Sequence, residues 1–209
     1  MANSNLLFLA NYGIRKMKEV NATYFGTSLE VDNMFFDFYL VGTLACLRSN
    51  LDYILEDYSF MFFGRICPHK QNNKANNFEK LAIKEKNEDA ISFIDFYKKE
   101  KKRLLDDKIV KDIFDARNIT LHDRRLARWE ITNMEECFVK KEDGSIEFQP
   151  EKTKMKKYFS KDLQFQKEGD QVNPIVQSDQ LDIIEQCEHC LKSLEEFSDT
   201  ISERFPLHF

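Results

Sequence analysis

The stretch Phe36-Asp37-Phe38-Tyr39-Leu40-Val41-Gly42-Thr43-Leu44-Ala45-Cys46-Leu47-Arg48-Ser49-Asn50-Leu51-Asp52-Tyr53-Ile54-Leu55-Glu56-Asp57-Tyr58 carries the strongest periodic signal in the chain. Leu40, Leu44, Leu47, Leu51, Ile54 and Tyr58 alternate steps of four and three, the spacing that returns side chains to one face of an α-helix. Such a seam belongs to a helix packed lengthwise in a bundle. Asp32 or Asn33 can cap this helix, which should reach about Phe62. Phe35, Phe36, Phe38, Tyr39 and Val41 widen the apolar surface at its start beyond one stripe, which predicts burial on two sides or a dimer face. Arg48 and Asp52 lie one turn apart and off the seam, the spacing of a surface ion pair worth a few tenths of a kcal/mol.

Composition supports a bundle. The chain has 209 residues, enough for one domain with a real core, and is 42% hydrophobic with 19 Phe, which excludes a disordered chain. Six Gly and four Pro are too few for a sandwich or barrel, so a mainly α fold is expected. The net charge of −5 argues against a protein that coats nucleic acid nonspecifically. The charge is unevenly placed, because Lys98 to Arg128 holds eleven Lys/Arg against six Asp/Glu. A solvated helix face explains such a run as readily as an RNA surface does. Leu6-Leu7-Phe8-Leu9 is too short for a signal or membrane segment, and no other apolar run approaches membrane length. Five Cys without framework spacing fit a reducing compartment, so a cytoplasmic protein with no membrane contact is expected.

Upstream of the long helix, Leu6, Leu9, Ile14, Met17, Val20, Tyr24 and Phe25 fall at helical spacing interrupted by Gly13 and Gly26, which predicts one or two imperfect helices. Downstream, Gly64 to Asn77, with Pro68 and two Asn-Asn pairs, reads as a polar loop. Ile91 to Leu105 then predicts a helix with Phe93, Ile94 and Tyr97 inward and lysines outward. Asp106-Asp107 marks a break or N-cap, where acids suit the helix dipole.

The next helix, from Lys111 to Arg124, holds the most informative residues. On a wheel of about 100° per residue, Val110, Ile113, Phe114, Thr120 and Leu121 form an apolar arc with Arg117 near its centre. Lys111, Asp115, Asn118 and His122 share a polar stripe. A guanidinium, an amide and an imidazole thus fall within about a turn and a half. The structural alternative is a buried Arg117 salt-bridged to a carboxylate of another helix, with a solvated His122.

After Arg128 the period becomes two. Trp129 and Ile131, Cys137 and Val139, then Ile146 and Phe148 alternate with polar residues, and Asp143-Gly144 is a hairpin signal. Lys152 to Lys157 is basic, and Leu163 and Phe165 offer a further strand. Residues 129–168 are expected to form a small β-hairpin insertion before the last helix, either shaping substrate access, contacting a partner or remaining an inert surface hairpin. Ser178 or Asp179 can cap that last helix, with Leu181, Ile184, Cys187, Leu191, Leu194, Phe197 and Ile201 inward and Pro206 as its stop. Cys187-Glu-His-Cys190 has zinc-like spacing that Cys67 and His69 could complete, but core thiols are the stronger expectation. No phosphate loop, HExxH or GxSxG is present, and no metal or cofactor is expected.

The spacing Arg117-Asn118-x-x-x-His122 resembles the Arg-Asn-x-x-x-His motif of the HEPN superfamily of ribonucleases and RNA-binding helical domains. An Arg followed by His five residues on arises by chance in roughly one such sequence in six, and requiring the Asn lowers this to roughly one in a hundred. Leu47-Arg48-Ser49-Asn50-Leu51-Asp52-Tyr53 is similar to the Arg-Ser/Asp-Tyr region that precedes the motif in some members. The resemblance implies a single HEPN-like domain over 1–209, a bundle of four to five core helices, and metal-independent RNA cleavage with catalytic Arg117, Asn118 and His122. Lys111, Arg124, Arg125 and Arg128 would bind substrate. It further implies a homodimer, and a toxin or phage-defence role with an antitoxin or nucleotidyltransferase-like partner. Where one subgroup continues His-x-Tyr, this chain has Arg124, so control by modification of that Tyr is in doubt. The competing expectation is a noncatalytic helical module that binds RNA or protein, and a third is a plain scaffold dimer.

Overall fold

The computed structural model describes residues 2–22, 29–66, 74–120, 127–131, 138–148, 155–159, 164–168, 171–175 and 181–207. Among them are six helices: α1 (Ala2–Ala22), α2 (Leu29–Phe63), α3 (Lys74–Glu85), α4 (Glu88–Asp106), α5 (Lys108–Thr120) and α6 (Ile183–Arg204). Between α5 and α6 lie β1 (Ala127–Ile131), β2 (Phe138–Lys140), β3 (Ile146–Phe148), β4 (Met155–Phe159), β5 (Gln164–Glu168) and β6 (Gln171–Ile175). The chain is mainly α.

Helix α2 has 35 residues and so spans about 52 Å. All six seam residues, Leu40 to Tyr58, are buried. The helix begins before Asp32 and Asn33, which therefore occupy positions inside it rather than at its cap. Phe36 is buried, whereas Phe35 and Phe38 stay 46% and 71% exposed, so one ring enters the core and two do not.

Helix α1 runs unbroken through Gly13 and packs along α2. The glycine is there for closeness. A Cβ on Gly13 would overlap Thr43 Oγ1 and meet the Tyr39 carbonyl at 3.4 Å. Gly26 lies outside the described residues.

Helix α3 replaces part of the expected loop, since Asn76 and Asn77 lie inside it. Ala75, Phe78 and Ala82 are its buried residues. Asn87 caps α4 by accepting from Ala90 N at 2.9 Å. Helix α4 lies against α2 through aromatic contacts: Tyr58 stacks on Phe93 at 4.2 Å between centroids, and the buried Tyr97 hydroxyl donates to the Leu51 carbonyl at 3.0 Å. Phe62, Phe78 and Phe205 complete this cluster. The cap of α6 is Asp182, not Ser178 or Asp179. Its carboxylate accepts from Glu185 N while Glu185 accepts from Asp182 N, a reciprocal capping box. Phe205 and Pro206 follow the helix end.

The strands form three antiparallel two-stranded ladders, β1 with β4, β2 with β3, and β5 with β6. The β2–β3 turn contains Gly144 at φ 84°, a left-handed conformation that suits glycine. Strand β6 lies beyond residue 168. Strand β4 touches α6 and buries Lys157 and Phe159, and the Lys157 ammonium sits 3.7 Å from the centre of the Phe36 ring. The insertion is therefore packed against the bundle at β4.

Candidate functional site

Helix α5 is positioned at its first residue. Asp107 closes α4 through its own N–H to the Leu104 carbonyl. Its carboxylate then accepts from Ile109 N at 2.8 Å and Val110 N at 3.3 Å, capping α5. The other carboxylate oxygen lies 2.7 Å from His189 Nε2 on α6. One residue thus ends a helix, starts the next and ties both to a third. Burial alone would raise the Asp107 pKa, but the His189 hydrogen bond and the Val110 and Ile109 N–H groups outweigh it and hold the carboxyl below its ordinary range.

Val110, Ile113 and Phe114 are buried, and α5 packs on α2, α4 and α6. Lys111 and Asp115 are exposed, as the polar stripe requires. Arg117 and Asn118 occupy the last turn of α5. Arg117 stands three residues beyond Phe114 and four beyond Ile113, which puts its backbone position on the buried side of the helix. Asn118 follows Lys111 and Asp115 around to the exposed side. The side chains of Arg117, Asn118 and Arg128 are outside the described set, as are His122, Arg124 and Arg125 altogether. Arg128 lies on β1 opposite Tyr158 of β4. Of the expected substrate-binding residues, Lys111 alone has a described side chain.

Helix α2 brings one cation to α5. The Arg48 guanidinium lies 5.1 Å from the centre of the Phe114 ring. The expected Arg48–Asp52 ion pair is not formed. Asp52 instead sits 3.9 Å from Lys74, which also bonds Glu56 at 2.6 Å. Lys101 is partly buried, and its pKa is lowered by burial and then by the charge of Arg48, against a smaller opposing pull from Asp52. Sequence reasoning passed over Lys101 because it is one of a run of surface-like lysines. His189 drew notice only for zinc-like spacing.

Cys187 and Cys190 are core residues on α6. Burial pushes the Cys187 thiol well up and Cys190 to about 12. Cys67 and His69 are outside the described residues, among which no group of His, Cys, Asp and Glu could hold a metal ion. Among those residues no helix is long and apolar enough to cross a membrane. Comparisons with protein-family models, with curated proteins and with solved structures find no match.

Proposed function

We propose that this chain is a metal-independent endoribonuclease with a HEPN-like bundle. The observation that carries the reading is Arg117-Asn118, the start of Arg117-Asn118-x-x-x-His122, in the last turn of a helix whose preceding turns, with Val110, Ile113 and Phe114, are buried in the core. A motif anchored this way starts from a rigid element, which catalytic geometry needs.

The chemistry follows from the residue types. RNA carries a 2′-hydroxyl beside each scissile phosphate, and removing its proton lets the oxygen attack phosphorus in line. The 5′-oxygen leaves and takes a proton, giving a 2′,3′-cyclic phosphate and a 5′-hydroxyl. His122 serves proton transfer because an imidazole titrates near neutral pH. Arg117 pairs with the phosphate and the charge that develops on it. Asn118 orients the group, and Lys111, Arg124, Arg125 and Arg128 hold flanking phosphates.

One His per motif leaves one proton transfer without its group, which a two-fold homodimer supplies. Phe8, Tyr12, Met34, Phe35, Phe38 and Val41, all exposed on α1 and α2, favour such a partner. The biological role that fits is a toxin or phage-defence effector held in check by an antitoxin or nucleotidyltransferase-like protein. The test is digestion of a defined RNA followed by end-group analysis of the products. Cyclic phosphate termini support the reading, and 3′-hydroxyl termini contradict it.

A further inference from the structure

We infer that a cavity between the C-terminal halves of α2 and α6 binds an aliphatic polyamine, a ligand whose ammonium groups are spaced along a hydrocarbon chain. The cavity has a volume of about 430 Å³, and no residue of the motif helix lines it. Its apolar lining is Ile54 and Ile201, both buried, with Leu7 of α1 and Leu207 beyond α6. Its charged lining is acidic: Asp57 comes from α2, and Glu195 and Asp199 stand one turn apart on α6. Among the described lining residues there is no lysine or arginine. Lys192 of α6 pairs with Glu196 at 3.8 Å, and Arg204 is exposed and outside the lining. Ile201 and Ser202 belong to the last turn of α6, whose carbonyls add negative partial charge.

Each part of this lining narrows the ligand. An anion meets no cationic donor in the described wall. A metal ion needs ligands that converge on one point, and among the described residues no group of His, Cys, Asp and Glu does so. A quaternary ammonium is held by several aromatic faces. Tyr58 supplies the one ring among the described lining residues, and that ring is stacked on Phe93 at 4.2 Å. The Tyr58 hydroxyl donates to the Phe205 carbonyl at 2.5 Å, so its oxygen is left as an acceptor. Carboxylates that do not converge, carried by two helices beside apolar side chains, fit ammonium groups separated by methylenes. The ammonium groups donate to the carboxylates, and the methylenes cover Ile54 and Ile201. The volume suits such a chain, and a concave wall of one charge concentrates cations more than scattered surface acids do.

The experiment is calorimetric titration of the protein with spermidine, cadaverine, methylamine and the neutral diol of cadaverine's length, at fixed ionic strength. The proteins are wild type, Glu195→Gln, Asp199→Asn and Glu203→Gln. Glu195 and Asp199 are exposed, so each variant removes a charge without opening the core, and either one carries the test alone. Glu203→Gln removes the same charge from the same helix outside the cavity lining. Spermidine is expected to bind more tightly than cadaverine, and methylamine and the diol far more weakly than either. Glu195→Gln and Asp199→Asn should each weaken spermidine about 5- to 10-fold, with Glu203→Gln close to wild type. Equal losses in all three variants would reduce the effect to nonspecific charge attraction and overturn the site. Methylamine binding as tightly as cadaverine would overturn the role of the apolar lining, and with it the polyamine assignment. Absence of spermidine binding at millimolar concentration would overturn the site outright. No RNA is present, so none of these outcomes bears on the nuclease reading.

Discussion

The Arg48 guanidinium rests over the Phe114 ring at 5.1 Å, so the longest helix reaches the motif helix one turn before Arg117. This contact joins a cation to the buried side of α5. Phe114→Ala should cost about 3–5 kcal/mol through the cavity it leaves. In a double-mutant cycle with Phe114→Leu and Arg48→Met, the coupling should be about 0.5–1 kcal/mol. Urea unfolding of the four proteins measures it, and additive losses would mean the ring and the guanidinium are merely neighbours.

Gly13 predicts a close helix pair. A methyl group there meets Thr43 Oγ1, whose own hydroxyl is buried without a hydrogen-bond partner, and a β-branched side chain cannot swing clear. Gly13→Ala should therefore destabilise by about 1–3 kcal/mol, and adding Thr43→Ala should recover a large part. A neutral Gly13→Ala, measured by thermal unfolding, would show that α1 does not approach α2 this closely.

Asp107 gives a signed pH dependence. Its folded pKa lies below the ordinary aspartate value of 3.8 that the unfolded chain takes. The stabilisation it supplies is then complete above that value and is lost as pH falls through the lower, folded one. The stability gap between wild type and Asp107→Asn should hold at pH 5 and shrink toward pH 2. A gap that widens on acidification would reverse the sign and remove the carboxylate's role in joining α4, α5 and α6.

Cys187 and Cys190 should resist alkylation in the folded protein, because burial disfavours both thiolates. Iodoacetamide labelling mapped by mass spectrometry should modify them only in denaturant. Labelling of either at a rate near that of a free thiol in the native state would contradict their place in the core.

What the sequence disclosed depends on how each element encodes itself. The seam from Leu40 to Tyr58 was legible because large side chains repeat at helical spacing, and every one of them is buried. Helix α3 was not, since its buried side is built on Ala75, Phe78 and Ala82, with two small residues, and Asn76-Asn77 imitates a turn. Strand β4 was hidden by charge, because the inward residue between Met155 and Phe159 is Lys157, whose ammonium lies over the Phe36 ring. Asp182 was passed over because Ser178 and Asp179 offered earlier caps. At the site, Lys111 on the exposed stripe and the buried arc of Val110, Ile113 and Phe114 were readable from periodicity. The approach of Arg48 to Phe114 is a pairing between distant segments, which no local spacing announces.

The most direct measurement of the nuclease account is incubation of total RNA or tRNA with the protein in EDTA near neutral pH, beside Arg117→Ala and His122→Ala purified in the same way. The account predicts cleavage by the wild type that survives chelation and falls roughly 10²-fold or more in each variant, with the variants' unfolding temperatures close to wild type. Equal cleavage by His122→Ala and wild type, or activity abolished by EDTA and restored by Mg²⁺ or Mn²⁺, would contradict it. Collapse of the fold in Arg117→Ala would place that residue in a buried ion pair instead.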